Sequence, residues 1–415
     1  MNLVTVGVSH RTAPLALRER VGLSERQAAA MLASLTQHSG IDEAASVSTC
    51  NRIELYLAAT DGGRAETAAA DALASVGGET IRGAIRTLRG AEAARHLFCV
   101  AAGLDSMVLG EAEIQGQVKR SYELALSLGT GGPMTNRLFQ AAIRAGKRVR
   151  SETGVSRHAA SVASVSVELA RSELGDLRGR SALVIGTGKH GTLTAMALRE
   201  AGVRTAFVAS RHYEHAADLA RRFAGAAVDF SDLASELGRC DLVLTCTSCP
   251  YRVLTRADLV GAARGRRLVI VDTAVPRDVD PAARELPGVT LYDLDDVQRS
   301  AERNLVTRAQ EAKRAEPIID EEVAHFGRWL ASLDVVPTIS ALRQRGTAAV
   351  DRALRENESR WRALTAEDRA RVELLAHAVV SDLLHEPTLR LRQAGERGTS
   401  ALYSETLSEL FGLGA

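Results

Sequence analysis

Two short stretches of this chain carry side chains suited to chemistry. The first is Ser48-Thr-Cys-Asn-Arg52, where a thiol stands in a polar turn with hydroxyls before it and a guanidinium two residues beyond. A thiol acts as a nucleophile when it is reachable and a nearby cation favours the thiolate, whereas a cysteine among apolar residues behaves as a small inert group. Arg52 is close enough in sequence to lower the Cys50 pKa. From the turn alone, a catalytic and an incidental thiol stand as equal expectations for Cys50. The other cysteines, Cys99, Cys240, Cys246 and Cys249, stand in apolar or strand contexts. Cys246 and Cys249 have C-x-x-C spacing, but no second Cys or His pair follows at ligand spacing, so both read as structural and no metal is expected.

The second stretch, Gly186-Thr-Gly-Lys-His-Gly191, follows the apolar run Ala182–Ile185 and opens a helix to about Ala201. In that context Gly186 permits a tight turn, Gly188 lets the backbone approach phosphates and Gly191 lets helix and strand pack closely. The loop, with Thr187, Lys189 and His190 between its glycines, is the expected cradle for a dinucleotide pyrophosphate at a helix N-terminus. The imidazoles of His190, His212 and His215 lack further ligands and read as surface or packing groups. The next strand, Thr205–Ala209, runs into Ser210 and Arg211. An NAD-preferring fold offers Asp or Glu there, roughly 20 residues past the last glycine. A hydroxyl and a guanidinium suit a 2′-phosphate, so NADPH is the expected cofactor.

Other elements must position these groups. Strand Leu3–Val8, a helix from the N-cap Ser24 to about His38, and strands Ala44–Ser48 and Ile53–Ala58 place Cys50 in a turn between two strands. Helical sequence runs on to about Gly129, and Leu128–Pro133 is a connector. The helix Asn136–Arg150 carries Arg137, Arg144, Lys147, Arg148 and Arg150, a cluster that reads as a solvated face, with a polyanion contact as the alternative. From Ser181, strand and helix alternate through Leu242–Thr245 and Leu268–Val271, the pattern of a doubly wound parallel sheet. Asp293–Leu333 reads as one long helix interrupted only by Pro317, and the tail Thr338–Ala415 as helical. The tail's apolar stripe of Leu364, Val372, Leu375, Val379 and Leu383 predicts a dimerisation module. The expected architecture is α/β and multidomain. An N-terminal α+β catalytic domain (1–155) precedes a central Rossmann-type parallel sheet (156–292), a long connecting helix (293–335) and an all-helical C-terminal dimerisation domain (336–415).

Composition bounds the rest. A chain of 415 residues with 46% hydrophobic and 25% charged residues builds several packed domains and excludes a wholly disordered chain. With 52 basic against 51 acidic residues, net charge +1, a nucleic acid must be held by a local patch. No basic-then-apolar leader opens the chain and no apolar run is long enough to span a bilayer, so the expectation is a cytoplasmic protein with free thiols and no membrane contact.

In order along the chain, Gly7-Val-Ser-His-Arg-Thr-Ala-Pro14, Ser48-Thr-Cys-Asn-Arg52, Gly103-Leu-Asp-Ser-Met-Val-Leu-Gly-Glu111, Ile114-Gln-Gly-Gln-Val-Lys119 and Val275-Pro-Arg-Asp278 resemble the glutamyl-tRNA reductases. The likeness covers essentially the whole chain. It implies NADPH-dependent reduction of glutamate-charged tRNA to glutamate-1-semialdehyde with release of tRNA, the first step of tetrapyrrole synthesis from glutamate. Cys50 is then the nucleophile that takes the glutamyl group as a thioester, to which hydride is delivered. The resemblance implies substrate contacts at Thr49, Cys50, Asn51, Arg52, Ser106, Glu111, Ala112, Glu113 and Gln117, with Arg52 gripping the glutamate side-chain carboxylate, and a part in activity for His96. Where the family commonly has Glu-Pro-Gln, this chain has Glu111-Ala-Glu113. A V-shaped homodimer joined through C-terminal helices, and a glutamate-1-semialdehyde aminotransferase as partner, are implied likewise. The rival readings are an NADPH dehydrogenase of a small metabolite with Cys50 incidental, and a non-catalytic tRNA-binding dimer.

Overall fold

The computed structural model describes residues 1–111, 113–155, 161–208, 213–260, 262, 266–303, 306–361, 364–396 and 399–413. Two compact units divide the chain, Asn2–Asp320 and Glu321–Ala415. The first unit contains two sheets.

The N-terminal sheet has strands β1 (Asn2–Ser9), β2 (Ile41–Ser48), β3 (Arg52–Ala59) and β4 (Arg86–Arg89) in the order β2-β3-β1-β4. Its neighbours pair antiparallel, with Ser9 opposite Arg52 and Ser48 opposite Ile53. Strand alternation sorts β3 into two faces. Ile53, Leu55, Leu57 and Ala59 join a core with Val4, Val6 and Val8, packed under helices Glu25–Leu35 and Gly62–Gly77. Arg52, Glu54 and Tyr56 are buried on the opposite side, where the Tyr56 ring meets Phe139 of the helix Pro133–Glu152 edge-on. Ser24 caps its helix as expected, in a reciprocal capping box with Gln27. The edge strand β4 lies where the sequence reads as helical. Its residues Arg-Thr-Leu-Arg carry no apolar run, and pairing with β1 makes it a strand.

The start of Pro133–Glu152 is held from a distance. Glu43, 4% exposed on β2, accepts from the backbone N–H groups of Gly132 (3.1 Å), Met134 (3.0 Å) and Thr135 (2.7 Å), and from the Thr135 hydroxyl (2.8 Å). A buried carboxylate thereby satisfies donors that a helix N-terminus leaves open, where the helix dipole favours negative charge.

The second sheet, β5 (Ser181–Ile185), β6 (Arg204–Val208), β7 (Ala226–Val228), β8 (Leu242–Thr245), β9 (Leu268–Asp272) and β10 (Val289–Tyr292), runs in the order β10-β9-β8-β5-β6-β7. All its pairings are parallel. Both faces are covered: Leu183, Ile185, Val243 and Ile270 enter one core, Ala182, Val184, Leu244 and Val271 another. This is the expected Rossmann-type sheet, its central strands mostly apolar because both of their faces are covered. The expected helix Asp293–Leu333 is found as Leu294–Arg303 and Val306–Leu333, with Pro317 inside the latter and residues 304–305 outside the described ones.

In the unit Glu321–Ala415 the main helices are Val336–Glu356, Ala366–Glu396 and Ser400–Phe411. A Cβ on Gly346 would lie 2.8 Å from side-chain atoms of Val380 and Leu384, so the first two helices meet closely there. The expected stripe remains largely uncovered, with Leu375 64% and Leu383 69% exposed, and Leu410 adds 73%. Among the described residues no helix is long and apolar enough to cross a membrane.

Glu43→Ala removes the acceptor for three backbone donors. It is expected to lower the stability of the first unit by about 2–3 kcal/mol, measured as a shifted urea midpoint with an unchanged slope; an unshifted midpoint would show the cap to be dispensable.

Candidate active site

Cys50 sits at the tip of the turn between β2 and β3. Thr49 closes that turn: its N–H donates to Arg52 O (2.8 Å), and its hydroxyl oxygen accepts from the N–H groups of Asn51 (3.1 Å) and Arg52 (3.2 Å). From the end of β1, the His10 N–H donates to Asn51 O at 2.8 Å. The fully buried Arg18 braces the turn from below, donating from Nη1 to Cys50 O (2.9 Å) and Asn51 Oδ1 (3.4 Å) while Nη2 pairs with Asp295. The other Asp295 oxygen accepts the Leu15 N–H at 3.1 Å, so the helix after the second sheet helps to hold the turn that bears Cys50.

The cation that acts on the thiol is therefore Arg18 and not Arg52. Nor is the thiol exposed: it is half-buried and packs against a core containing Leu15, Met107 and Val108. Burial pushes the Cys50 pKa up to about 12, the Glu111 charge adds to the rise, and Arg18 only partly opposes it. The sequence-based expectation of a lowered pKa fails because Arg52 turns away into the sheet.

Arg52 has no solvent exposure. Its Nη1 donates to Glu54 Oε1 (3.1 Å) and Asp105 Oδ2 (3.0 Å), and its Nη2 to the Asp105 carbonyl. The guanidinium expected to grip a substrate carboxylate is thus already paired with two protein carboxylates. Glu54 also bonds His96 Nε2 through Oε1 (2.8 Å) and accepts from the Tyr56 hydroxyl through Oε2 (2.7 Å). Burial would raise the Glu54 pKa, but Arg52 and His96 outweigh it and hold the carboxyl at about 2. Glu54 is therefore ionised, and His96 Nε2 carries the proton it donates. A Cβ on Gly7 would lie 2.7 Å from Glu54 Cα and 2.8 Å from its Cγ, so the glycine of Gly7-Val-Ser-His makes room for this pair.

The segment after helix Gly90–Ala102 turns at Gly103 (φ +77) and again at Gly110 (φ +80), with Asp105 and Ser106 half-buried between them. Glu111 is half-buried, and burial followed by the charge of Glu113 raises its pKa to about 7. Glu113 is buried and reaches the glycine loop: Oε1 lies 3.1 Å from Lys189 Nζ and Oε2 lies 3.2 Å from His190 Nε2. His190, read from sequence as a surface or packing group, thus ties the loop to the thiol-bearing half. Gln117 and Ser48 line one cleft of about 560 Å³, together with Arg120 and Ser121. Arg150 also leaves the solvated face expected for its helix: it is half-buried and donates to Gln115 Oε1 (3.0 Å) and Glu111 O (3.1 Å). Ala112 lies outside the described residues.

The glycine loop fits a dinucleotide. It leaves the C-terminal end of β5, between β6 and β8, where the strand order reverses and such sheets open a crevice. Gly186 has φ +114, and a Cβ on Gly191 would lie 2.1 Å from Gly186 O, so side chains are excluded at both. A Cβ on Gly188 would meet nothing within 4 Å, leaving that side of the loop, after Thr187, open to a phosphate. Ser210 and Arg211 lie outside the described residues. Cys246 packs against the loop, its Sγ 3.5 Å from Ile185 O, and Cys249 is buried. Among the described residues no three His, Cys, Asp or Glu side chains converge as a metal site.

Sequence reading missed Arg18, Glu54, Asp105 and Asp295. Two of them left a trace: Glu54 interrupts an apolar strand, and Arg18 falls at the third position between Leu15 and Val21 on a buried helix face.

Because Glu111 raises the thiol pKa only when ionised, Glu111→Gln is expected to speed alkylation of Cys50 by iodoacetamide several-fold at pH 8–9, above the Glu111 value of about 7. The two proteins converge below about pH 6, where Glu111 is protonated. Equal rates at pH 9, in peptide-resolved mass spectrometry, would contradict this field.

Comparison with known proteins adds the family. The model "Glutamyl-tRNAGlu reductase, N-terminal domain" matches residues 6–153, "Shikimate / quinate 5-dehydrogenase" residues 168–300, and "Glutamyl-tRNAGlu reductase, dimerisation domain" residues 314–413. Glutamyl-tRNA reductase of Moorella thermoacetica is 40% identical over 420 residues, covering 100% of this chain and 95% of its own. That of Geobacter sulfurreducens is 39% identical over 419 residues, covering 100% and 96%. Among solved structures, glutamyl-tRNA reductase from Methanopyrus kandleri is 32% identical and covers 97% of this chain and 98% of its own, with a TM-score of 0.49. With full-length relatives at this identity, the chain belongs to the glutamyl-tRNA reductase family.

Proposed function

We propose that this glutamyl-tRNA reductase captures the glutamyl group of charged tRNA as a thioester on Cys50 and reduces it with NADPH. The product is glutamate-1-semialdehyde, in the first step of tetrapyrrole synthesis. The observation that carries this reading is the Glu113 contact with Lys189 and His190, which joins the thiol's surroundings to the glycine loop within one compact unit. A thiol and a hydride donor must act on one carbon in turn, and that link favours it.

The Cys50 sulfur attacks the ester carbonyl; a C–S bond forms, the C–O bond to the terminal ribose breaks, and the released hydroxyl takes up the proton that the thiol loses. With a pKa of about 12 the thiol sheds that proton only as bonding proceeds. Glu111, raised to about 7 and the carboxylate with the largest effect on the thiol, is suited to receive it in transit. Bound NADPH supplies the hydride to the thioester carbonyl carbon. The carbonyl of the aldehyde then re-forms as the C–S bond breaks, and the Cys50 thiolate takes up a proton from water. Thr49 and Asn51 hold the turn in the attacking geometry and, with Ser106, Glu111, Ala112, Glu113 and Gln117, are the proposed contacts to the glutamyl ester, while Glu113 also reaches the cofactor loop. His96 acts through Glu54, holding the carboxylate that orients Arg52.

A nicotinamide-binding domain follows from the family and the sheet. The phosphorylated form, NADPH, is proposed on Ser210 and Arg211 after β6, with Gly186, Thr187, Gly188, Lys189, His190 and Gly191 as the pyrophosphate cradle. Exposed Leu375, Leu383 and Leu410, in the region matched by a dimerisation model, support a homodimer. We keep the functional division 1–155, 156–292, 293–335 and 336–415, a cytoplasmic setting where charged tRNA is available, and an aminotransferase as recipient of the reactive aldehyde.

With glutamate-charged tRNA and NADPH, Cys50→Ser is expected to lower aldehyde formation by roughly a thousand-fold or more while leaving NADPH binding intact. Full activity in Cys50→Ser, or wild-type turnover that ignores charged tRNA, would favour the small-metabolite dehydrogenase. Arg211→Asp should lower kcat/KM for NADPH by roughly 10–100-fold and spare NADH; an equal loss with both would remove Arg211 from the 2′-phosphate.

A further inference from the structure

We infer that Asp105 is the specificity residue that receives the α-ammonium group of the glutamyl residue. The inference rests on the reading of the chain as a reductase of glutamyl-tRNA and names a recognition element within the same site. A glutamyl ester brings two charges into the pocket, the side-chain carboxylate and the ammonium on the α-carbon, with only two methylenes between the α-carbon and the carboxylate. Each needs a partner when taken out of water, and so short a spacer requires the two partners to be neighbours.

Of the two buried cations at the turn, Arg18 is committed to the turn backbone and Asp295, whereas Arg52 has two carboxylate partners of which one is available. Glu54 is closed: its side chain is 5% exposed, and its oxygens are shared among Arg52, His96 and Tyr56. Asp105 is open: its side chain is 14% exposed, and its two oxygens lie on different guanidiniums, Oδ2 3.0 Å from Arg52 and Oδ1 2.6 Å from Arg11, itself 57% exposed. The Arg52 Nε is buried without a hydrogen-bond partner, so this guanidinium retains an unused donor. Glu113 is engaged by the cofactor loop.

The charge balance points the same way. Within the ion-paired cluster Arg11 and Arg52 against Glu54 and Asp105 sum to zero, Glu111 lying outside these pairs, and His10 adds nothing, since burial and then Arg52 depress its pKa to about 4 and leave it neutral near pH 7. A carboxylate arriving alone leaves one uncompensated negative charge. A glutamyl group arriving with its ammonium leaves the balance at zero, provided that the ammonium meets the carboxylate its own side chain displaces from Arg52. In the free enzyme Asp105 thus holds the place of the substrate carboxylate, and in the complex it pairs with the amine.

The test compares kcat/KM for glutamyl-tRNA and N-acetylglutamyl-tRNA in wild type, Asp105→Asn and Asp105→Glu, with NADPH binding as the check of folding. Asp105→Asn keeps an acceptor for Arg52 but no charge for the amine. Wild type should prefer the free amine by roughly 10–100-fold. In Asp105→Asn the glutamyl-tRNA value should fall by about that factor with the acetylated substrate little changed, and Asp105→Glu should recover part of the preference. An undiminished preference in Asp105→Asn, or an equal loss on both substrates, overturns the inference and leaves Asp105 as a prop for Arg52. Wild-type enzyme inert toward glutamyl-tRNA itself would instead sink the reading on which it rests.

Discussion

A fully buried guanidinium at the first position of β3 imposes much of what surrounds it. Arg52 cannot stay in the interior of the sheet without counter-charge, and removing one partner of such a pair typically costs about 3–5 kcal/mol. The strand period puts Glu54 on the same face, two residues on, and Gly7 on the neighbouring strand is bare of side chain where Glu54 crosses it. His96 and Tyr56 complete the hydrogen bonds of Glu54, and Asp105 completes those of Arg52. The turn bearing Cys50 is therefore anchored at its far end by a charge cluster drawn from three separate elements, and at its near end by Arg18 and Asp295.

The same burial that anchors the turn keeps its thiol protonated. A free thiolate at neutral pH would be open to alkylation and oxidation, and a pKa of about 12 suppresses it. On the proposed mechanism, reactivity then depends on what the substrate brings: a carbonyl to attack, an oxygen to leave and a place for one proton to go. Glu111, held at about 7 by burial and by Glu113, stands between protonated and ionised forms near physiological pH. Glu113 in turn is fixed by Lys189 and His190, so the carboxylates beside the thiol and the glycine loop belong to one electrostatic system.

What sequence alone revealed was what is written locally. The glycines after β5, the Ser24 cap and the strand–helix alternation each follow from residues within a few positions of one another, and the structure has them where the pattern put them. Cys50 was legible as a turn thiol for the same reason. Its electrostatics were not, because they depend on long-range pairs. Arg18 meets Asp295 across 277 residues and Arg52 meets Asp105 across 53, and nothing in local spacing forecasts either. Arg52 misled because it begins β3 and its side chain is drawn into the sheet by Glu54 and Asp105, while Cys50 lies outside the strand in the turn. Strand β4 escaped notice for a related reason: an edge strand of Arg-Thr-Leu-Arg owes its conformation to its neighbour.

The central claim is a covalent one, and it is tested most directly by mixing the enzyme with glutamate-charged tRNA in the absence of NADPH, denaturing in acid and reading the Cys50 peptide by mass spectrometry. The account predicts a glutamyl group on Cys50, labile to hydroxylamine and converted to aldehyde when NADPH is added before quenching. A peptide that stays unmodified while aldehyde still forms on adding NADPH, or a glutamyl group found on another residue, would contradict it.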